Sequence, residues 1–498
     1  MLPEFEFAEL SQALQPAVKF LNECLAKGKR LDEVERGLHE RLRAVGLSLV
    51  KDYVKAAGDG DQGATVSRKE GELKRSRRLH RREYHSIFGR LVIRRYIYQT
   101  RAKQAAKYVP TDEQLGLPAG EQSYVLEDWS QRLTTNQPYA EARDILKELL
   151  GLDVTVRALE HMNQRMAEHV NPFWESAAAP PADEEGEILV VSADGKGVPM
   201  RQSQDERNEQ QLGKKKRERR TQPAYEKTTK RGGRGTPKSR KQMAYLGVAY
   251  SVDRFVRRPK DILDEFQREA KQEKRPAPQH KRYRAEMNTI QDEQVSPGQP
   301  RLFDWLAGEV QARNPKQNKP VVCLMDGQQS LWFCQRRQLP GAIGILDILH
   351  VMERLWEAAH CFHRESSVEA EQFVGKYLGM MLENHIGSVI GVFRRFAKPL
   401  RGAKKKQLQT ILGFFDRNKQ YMRYGEYIKA GYPIGSGVIE GGCRHVVRDR
   451  MELSGMRWTV EGAQAMLRLR TTKLIGDWTP FVKFRIRAEQ DTLYHQAA

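Results

Sequence analysis

Apolar residues recur along this chain with different periods, and the changes of period mark its parts. Between residues 6 and 57 they fall three, four and seven apart: Leu10, Leu14, Leu21 and Leu25, then Leu31, Val34, Leu38, Leu42 and Leu49. That spacing predicts two amphipathic helices separated by Lys27-Gly28-Lys29. They read as a small helical bundle or as a dimerisation module. Gly58 to Gly63 is a linker. Ser86 to Tyr98 then alternates apolar and polar around Gly89, which predicts a β-hairpin whose Arg94 and Arg95 are candidates for contact with a duplex backbone, or else a small sheet with a solvated face. Residues 138–169 read as helix–turn–helix. Ala142, Leu146 and Leu149 line the first helix, Gly151-Leu152-Asp153-Val154 makes the turn, and Thr155 caps a second helix with Leu159, Met162 and Met166.

Beyond the linker Ala177 to Ala182 the period changes again, to short continuous apolar runs that predict buried strands. One covers 187–193 and ends at Asp194, and another covers 244–252. A third covers 320–325 and ends at Asp326, and a fourth covers 342–346 and ends at Asp347. Residues 254–300 read as charged and irregular, and 301–313 as helix. Residues 349–430 read as nearly continuous helices, followed by a helix carrying Glu440 and a mainly helical tail. The pattern predicts an α/β core preceded by helical regions.

Length suggests about three domains. Charge adds a partner class. The chain carries 85 Lys and Arg against 64 Asp and Glu. Residues 66–107 hold 14 basic and 3 acidic residues, and residues 201–240 hold 14 and 5. Nearly all the excess charge therefore sits in two segments, the patterning expected for a polyanion partner. Lys214, Lys215 and Lys216 are candidates for DNA contact in the second. The five cysteines form no Cys-x-x-Cys pair, which argues against a disulfide framework and a zinc ribbon. No apolar run approaches the roughly 18 residues of a membrane span, and the N-terminus lacks a secretory pattern. We expect an intracellular protein in a reducing compartment.

The carboxylates supply candidate chemistry. Strand–Asp–Gly occurs at Ala193-Asp194-Gly195 and at Met325-Asp326-Gly327. An acid at a strand's C-terminal end emerges where α/β sites form. Glu440 opens a helix within Pro433 to His445, a run rich in small residues. Converging carboxylates repel unless cations intervene, so hard divalent ions are the expected partners. Arg444 and Arg448, four and eight residues on, fall on the same predicted helix face and would clamp phosphates, with Arg450, Arg457 and Trp458 close behind. Asp347-Ile348-Leu349-His350 is a rival. Asp347 competes with Asp326 for the second ligand position, or it braces His350. Glu353 is a weaker rival.

These residues carry a family resemblance. The pieces are Ala193 to Met200, Leu324 to Gly327, Ile345 to Trp356, and Pro433 to Trp458 continuing through Glu461 to Arg470. The chain resembles bacterial insertion-sequence transposases of the ISKra4 group, related to Mutator-type enzymes. The likeness covers most of residues 66–475.

The resemblance implies an RNase H-like DDE core with a helical insertion, and N-terminal helical and helix–turn–helix DNA-binding regions. It implies Asp194, Asp326 and Glu440 as the metal-binding catalytic triad, with Asp347 and His350 accessory. Two Mg2+ ions, or Mn2+, would be the cofactors. The substrates would be double-stranded DNA at the element's terminal repeats and at a target, handled by a homodimer or larger assembly in the cytoplasm at the nucleoid, away from any membrane. Relatives often carry a zinc ribbon near the hairpin. Residues 66–107 lack cysteine, so no zinc is expected there. The residues leave two alternatives open: a nuclease without strand transfer, and a domesticated DNA-binding protein.

The expected organisation is 1–60 helical bundle or dimerisation module, 66–110 basic hairpin region, 111–175 helix–turn–helix domain and 187–350 first part of the core, with its basic insertion 201–240. Then follow 351–432 helical insertion, 433–475 catalytic Glu helix and 476–498 tail.

Overall fold

The computed structural model describes residues 7–68, 71–100, 106–181, 183–201, 241–266, 275–291, 294–453 and 455–495. Lys214, Lys215 and Lys216 lie outside these. The chain forms two compact units, residues 1–175 with 477–498, and residues 176–476. The C-terminal segment is therefore part of the first unit and not a separate tail.

In the first unit, α1 (Phe7–Ala26) and α2 (Leu31–Ala56) are joined through Gly28 in the left-handed region, and Phe20 lies over Gly37 where no Cβ would fit. Next come β1 (Thr65–Arg68), β2 (Gly71–Arg75), β3 (His80–Ser86), β4 (Gly89–Arg95) and β5 (Tyr98–Gln99). β3 and β4 form an antiparallel hairpin whose turn is Ile87-Phe88. The predicted hairpin is thus real but sits one strand earlier, and Ser86 to Tyr98 covers only its turn, second strand and exit. Leu91 and Ile93 of β4 bury against Leu47, Val50 and Val54 of α2.

After α3 (Pro110–Gln114), the helices α4 (Tyr124–Thr134), α5 (Tyr139–Leu150) and α6 (Val156–Glu168) enclose Leu126, Ala142, Leu146, Leu159 and Met162. Gly151 ends α5 at φ 60°, and the Thr155 hydroxyl accepts from the Ala158 N–H at 3.1 Å to start α6. Helix α7 (Val170–Ser176) closes this run.

The second unit is built on one five-stranded sheet. Its strands are β6 (Ile188–Pro199), β7 (Lys241–Val252), β8 (Gln279–Met287), β11 (Val321–Met325) and β12 (Ile343–Leu346), in spatial order β12-β11-β6-β7-β8. β6, β7 and β8 are antiparallel neighbours, while β11 and β12 join parallel to β6. Helix α8 (Pro259–Phe266) and the small hairpin of β9 (Thr289–Gln291) and β10 (Gln294–Ser296) flank β8 in sequence, and α9 (Gly298–Arg313) and α10 (Gln329–Gln338) follow.

Both faces of the sheet are covered, which explains its continuous apolar strands. Leu302 of α9 packs over Gly247 of β7. On the opposite face Leu246 meets Gly442 in the helix that bears Glu440.

Residues 254–300 overturn the expectation of irregular chain, because they hold α8, β8 and a hairpin. The signal was hidden because β8 buries its charge in pairs. Glu286 is buried between Arg284 at 2.8 Å and Arg301 at 3.0 Å, and Arg282 meets Glu309 at 3.2 Å.

After β12 come α11 (Ile348–Ala359), α12 (Val368–Leu382), α13 (Ile386–Ala397), α14 (Gly402–Asn418) and α15 (Tyr424–Lys429). They share an aromatic core of Phe373, Tyr377, Phe393 and Phe415, and they belong to the same compact unit as the sheet. Their Tyr424 and Tyr427 hydroxyls donate to Leu346 and Gly344 carbonyls at 2.8 and 3.2 Å, which closes the β12 edge. Helix α16 (Gly437–Gly442) runs into a π-turn, Cys443–Arg448, then α17 (Asp449–Met451) and α18 (Val460–Leu474). The Gln464 side chain of α18 bonds Met287 N–H and Ala285 carbonyl, each at 2.8 Å, and closes the β8 edge.

Candidate active site

Three acids line up at one end of the parallel strands. The register pairs Ala193 with Met325 and Met325 with Leu346, so Asp194, Asp326 and Asp347 follow at equivalent positions. Adjacent strands lie about 4.8 Å apart. Asp194 does not end its strand as expected. β6 runs on to Pro199 because β7 pairs with it throughout. β11 stops at Met325, so Asp194 still stands where the parallel ladder ends. Its Oδ1 accepts from the Gly195 N–H at 2.6 Å. Asp326 leads into Gly327 at φ 99°, and its Oδ1 accepts from the Gln328 N–H at 2.8 Å.

Asp347 is held differently. It is fully buried and caps α11, accepting from the Leu349 N–H at 3.1 Å. It also accepts from the Ser436 N–H at 3.1 Å and the Ser436 hydroxyl at 2.6 Å. The Ile348 N–H donates to the Ile434 carbonyl at 2.9 Å. These bonds pin the loop before α16 to the end of β12. The Ser436 hydroxyl also lies 3.0 Å from Glu440 Oε1, so one serine bridges Asp347 and Glu440. Sequence reading missed Ser436, whose role depends on Asp347, distant in the chain.

His350 lies one turn into α11, with Nε2 3.9 Å from Asp347 and Nδ1 3.1 Å from Glu353. Ligand atoms of Asp347, His350 and Glu440 lie within 4.8 Å of one another. Glu353 is thus a partner of His350.

Burial dominates the electrostatics of Asp326 and Asp347. Burial and the charge of Asp194 push the Asp326 carboxyl above the usual carboxylate range, only partly offset by the Gln328 N–H and His350. Burial also raises Asp347, against the pull of its Ser436 and Leu349 donors. Burial alone would lower His350, but Asp347, Glu353 and Asp326 together carry it upward. Burial and nearby Asp194 raise the Cys443 thiol. Lys196, two residues past Asp194 on the same strand face, acts on that thiol too.

The expected phosphate clamps separate into two sets. Arg444, Arg448 and Arg457 are exposed. Arg450 and Trp458 are not available as clamps. Arg450 is fully buried, with its guanidinium 4.9 Å over the Trp458 ring and a contact to Met456 Sδ. Trp458 is buried, donates its indole N–H to the Met451 carbonyl at 3.1 Å, and extends β6 by bonds to Pro199 and Arg201. Both brace the turn that follows α17.

The common face expected for Arg444 and Arg448 is altered by the π-turn, which widens the helix from Cys443 onward. Arg470 of α18, buried, donates to the Val446 carbonyl at 2.7 Å and to the His445 carbonyl of that turn. Sequence reading missed Arg470 as well.

Arg94 and Arg95 also separate: Arg94 is exposed, while Arg95 contacts Asp112 at 2.6 Å and is withdrawn from solvent. Among the described residues no helix is long and apolar enough to cross a membrane. Set against known proteins, the chain matches no family model and no curated relative.

Proposed function

We propose that this protein is a DDE transposase with an RNase H-like core, binding the terminal repeats of its element and catalysing metal-dependent DNA cleavage and strand transfer. The observation that best supports the reading is the register that lines up Asp194, Asp326 and Asp347, together with Ser436, whose hydroxyl links Asp347 to Glu440. The strand order supports the fold: three antiparallel strands, then a helix, then two strands parallel to the first.

Asp194, Asp326 and Glu440 would hold the divalent ions. All three offer carboxylate oxygens, the donor set that suits Mg2+ or Mn2+. Asp326 is favoured over Asp347 because it is only partly buried and receives a single donor, whereas Asp347 is enclosed and already accepts three. When bound, two such ions activate water or a 3′-hydroxyl and stabilise the leaving 3′ oxygen.

The chain's own residues do the positioning. Asp347 fixes the loop, Ser436 orients Glu440, and His350 balances the charge of Asp347. Arg444 and Arg448, exposed on the π-turn that follows α16, and exposed Arg457 would hold phosphate oxygens. The π-turn, braced by Arg470, sets the direction of Arg444 and Arg448. A second ligand set, Asp347, His350 and Glu440, has its own support in the 4.8 Å cluster. An imidazole ligand would shift preference toward softer metals than Mg2+.

Two element ends must be held together, which calls for a dimer or larger assembly acting at the nucleoid. The test is joining. Pre-cut ends taken from the DNA flanking the gene are incubated with supercoiled plasmid and Mg2+. Joined products support strand transfer. Cleavage without joining would reduce the protein to a nuclease, and binding with neither would leave a DNA-binding protein.

A further inference from the structure

The basic block of residues 66–107 sorts into two classes once its partners are assigned. Arg68 meets Glu113 at 3.1 Å, Arg90 meets Glu83 at 2.9 Å, and Arg75 pairs with Asp61. Arg82 and Arg95 share Asp112, each at 2.6 Å. Arg77, Arg78, Arg81 and Arg94 form no ion pair with any acid among the described residues, and all four are exposed.

The hairpin register places Arg81 directly opposite Arg94. Directly opposed residues of an antiparallel pair project on the same face, and like charges there destabilise the pairing. The other face holds Leu91 and Ile93, buried against α2. The hairpin thus has an inner face that carries packing and an outer face that concentrates uncompensated guanidinium groups at one end. No packing or pairing contact of the described residues uses that charge. Its natural complement is an external anion, and the guanidinium fork matches phosphate oxygens.

We propose that the outer face of β3–β4, centred on the Arg81–Arg94 pair with Arg77 and Arg78 at the strand entry, grips the phosphate backbone of duplex DNA without reading base sequence. The proposal rests on the transposase reading and deepens it by naming the surface. The contact is to the backbone, and the distribution of charge says why. Glu83 and Arg90 occupy the far part of the same face as a closed pair, so the free charge clusters at one end of the ribbon instead of running along it. A ribbon lying in a groove to read bases would want donors and acceptors along its length.

The experiment measures duplex binding by the full chain, by fluorescence anisotropy, over a range of salt concentrations and on two unrelated sequences. Wild type is compared with the double variant Arg81→Gln/Arg94→Gln. The expected result is a loss of about tenfold or more at low salt, equal on both sequences. The slope of log affinity against log salt should fall by about 2, at roughly 0.9 per phosphate contact. Thermal melting should be unchanged, because both side chains are exposed. Adding Arg77→Gln/Arg78→Gln should weaken binding further.

Wild-type affinity and slope in the double variant would overturn the proposal while leaving the transposase reading intact. A loss confined to one of the two sequences would overturn the backbone assignment. Wild-type binding that does not weaken with salt would bring down the nucleic-acid reading itself, and this proposal with it.

Discussion

Asp194 and Asp326 were legible from the sequence because each ends an apolar run and precedes glycine, a pattern that depends on neighbours in the chain alone. Ser436 was not, because its role depends on Asp347, 89 residues away. Its hydroxyl makes the contact that ties the middle of the site to Glu440, so it separates positioning from ligation. Ser436→Ala should leave the protein folded and lower cleavage by about 10- to 100-fold, the usual cost of removing a group that orients a metal ligand. It should also require more Mg2+ for half-maximal rate. An unchanged Mg2+ requirement would show that Ser436 does not orient Glu440.

Arg450 gives the opposite lesson. In the sequence it is one more arginine behind Glu440. In the fold it is buried under Trp458, and truncation would open a cavity. Arg450→Ala should cost roughly 3 kcal/mol of stability, the scale of large-to-small changes in a core. The salt dependence of DNA binding should stay as in the wild type. A shallower slope with normal melting would return Arg450 to the clamps.

At the scale of elements, regular patterns read well and compensated ones did not. The two N-terminal helices, the helix–turn–helix with its Thr155 cap, and the apolar strands all follow from spacing. β8 escaped because its charges are neutralised by partners on α9, which no local pattern reveals. The C-terminal helix Trp478–Gln490 was read as tail for a similar reason. Its Arg485 is buried and pairs with Glu127 of α4, which is also buried and meets Arg165 of α6. Phe481 packs edge-on against Phe173. Arg485→Ala would leave the buried Glu127 carboxylate with Arg165 as its remaining ion-pair partner and should destabilise the first unit by about 1.5–3 kcal/mol, the scale of a lost hydrogen bond to a charged group. Chemical denaturation read by a probe within residues 1–175 would check it. A cost below about 1 kcal/mol would place the pair in the class of solvated surface bridges.

The whole molecule has two units built on different principles. The first carries helices, hairpins and the exposed Arg77, Arg78, Arg81 and Arg94, and the second carries the sheet and its carboxylates. Under the proposed function the first unit would bind the substrate and the second would carry the chemistry. Deleting residues 477–498 should lower the melting of the first unit and weaken DNA binding, while the sheet unit keeps its own transition. Equal loss in both units would contradict independent folding.

If Asp194, Asp326 and Glu440 hold the divalent ions, DNA cutting requires all three carboxylates. The most direct measurement is the Mg2+-dependent cleavage rate of a duplex carrying the DNA that flanks the gene. Wild type is compared with Asp194→Asn, Asp326→Asn and Glu440→Gln at equal folded concentration. The wild type should cut, and each variant should lose at least about 100-fold, on the scale of removing one group that stabilises developing charge. Melting should be preserved in all three. Cutting at the wild-type rate by Asp326→Asn or Glu440→Gln would contradict that ligand assignment.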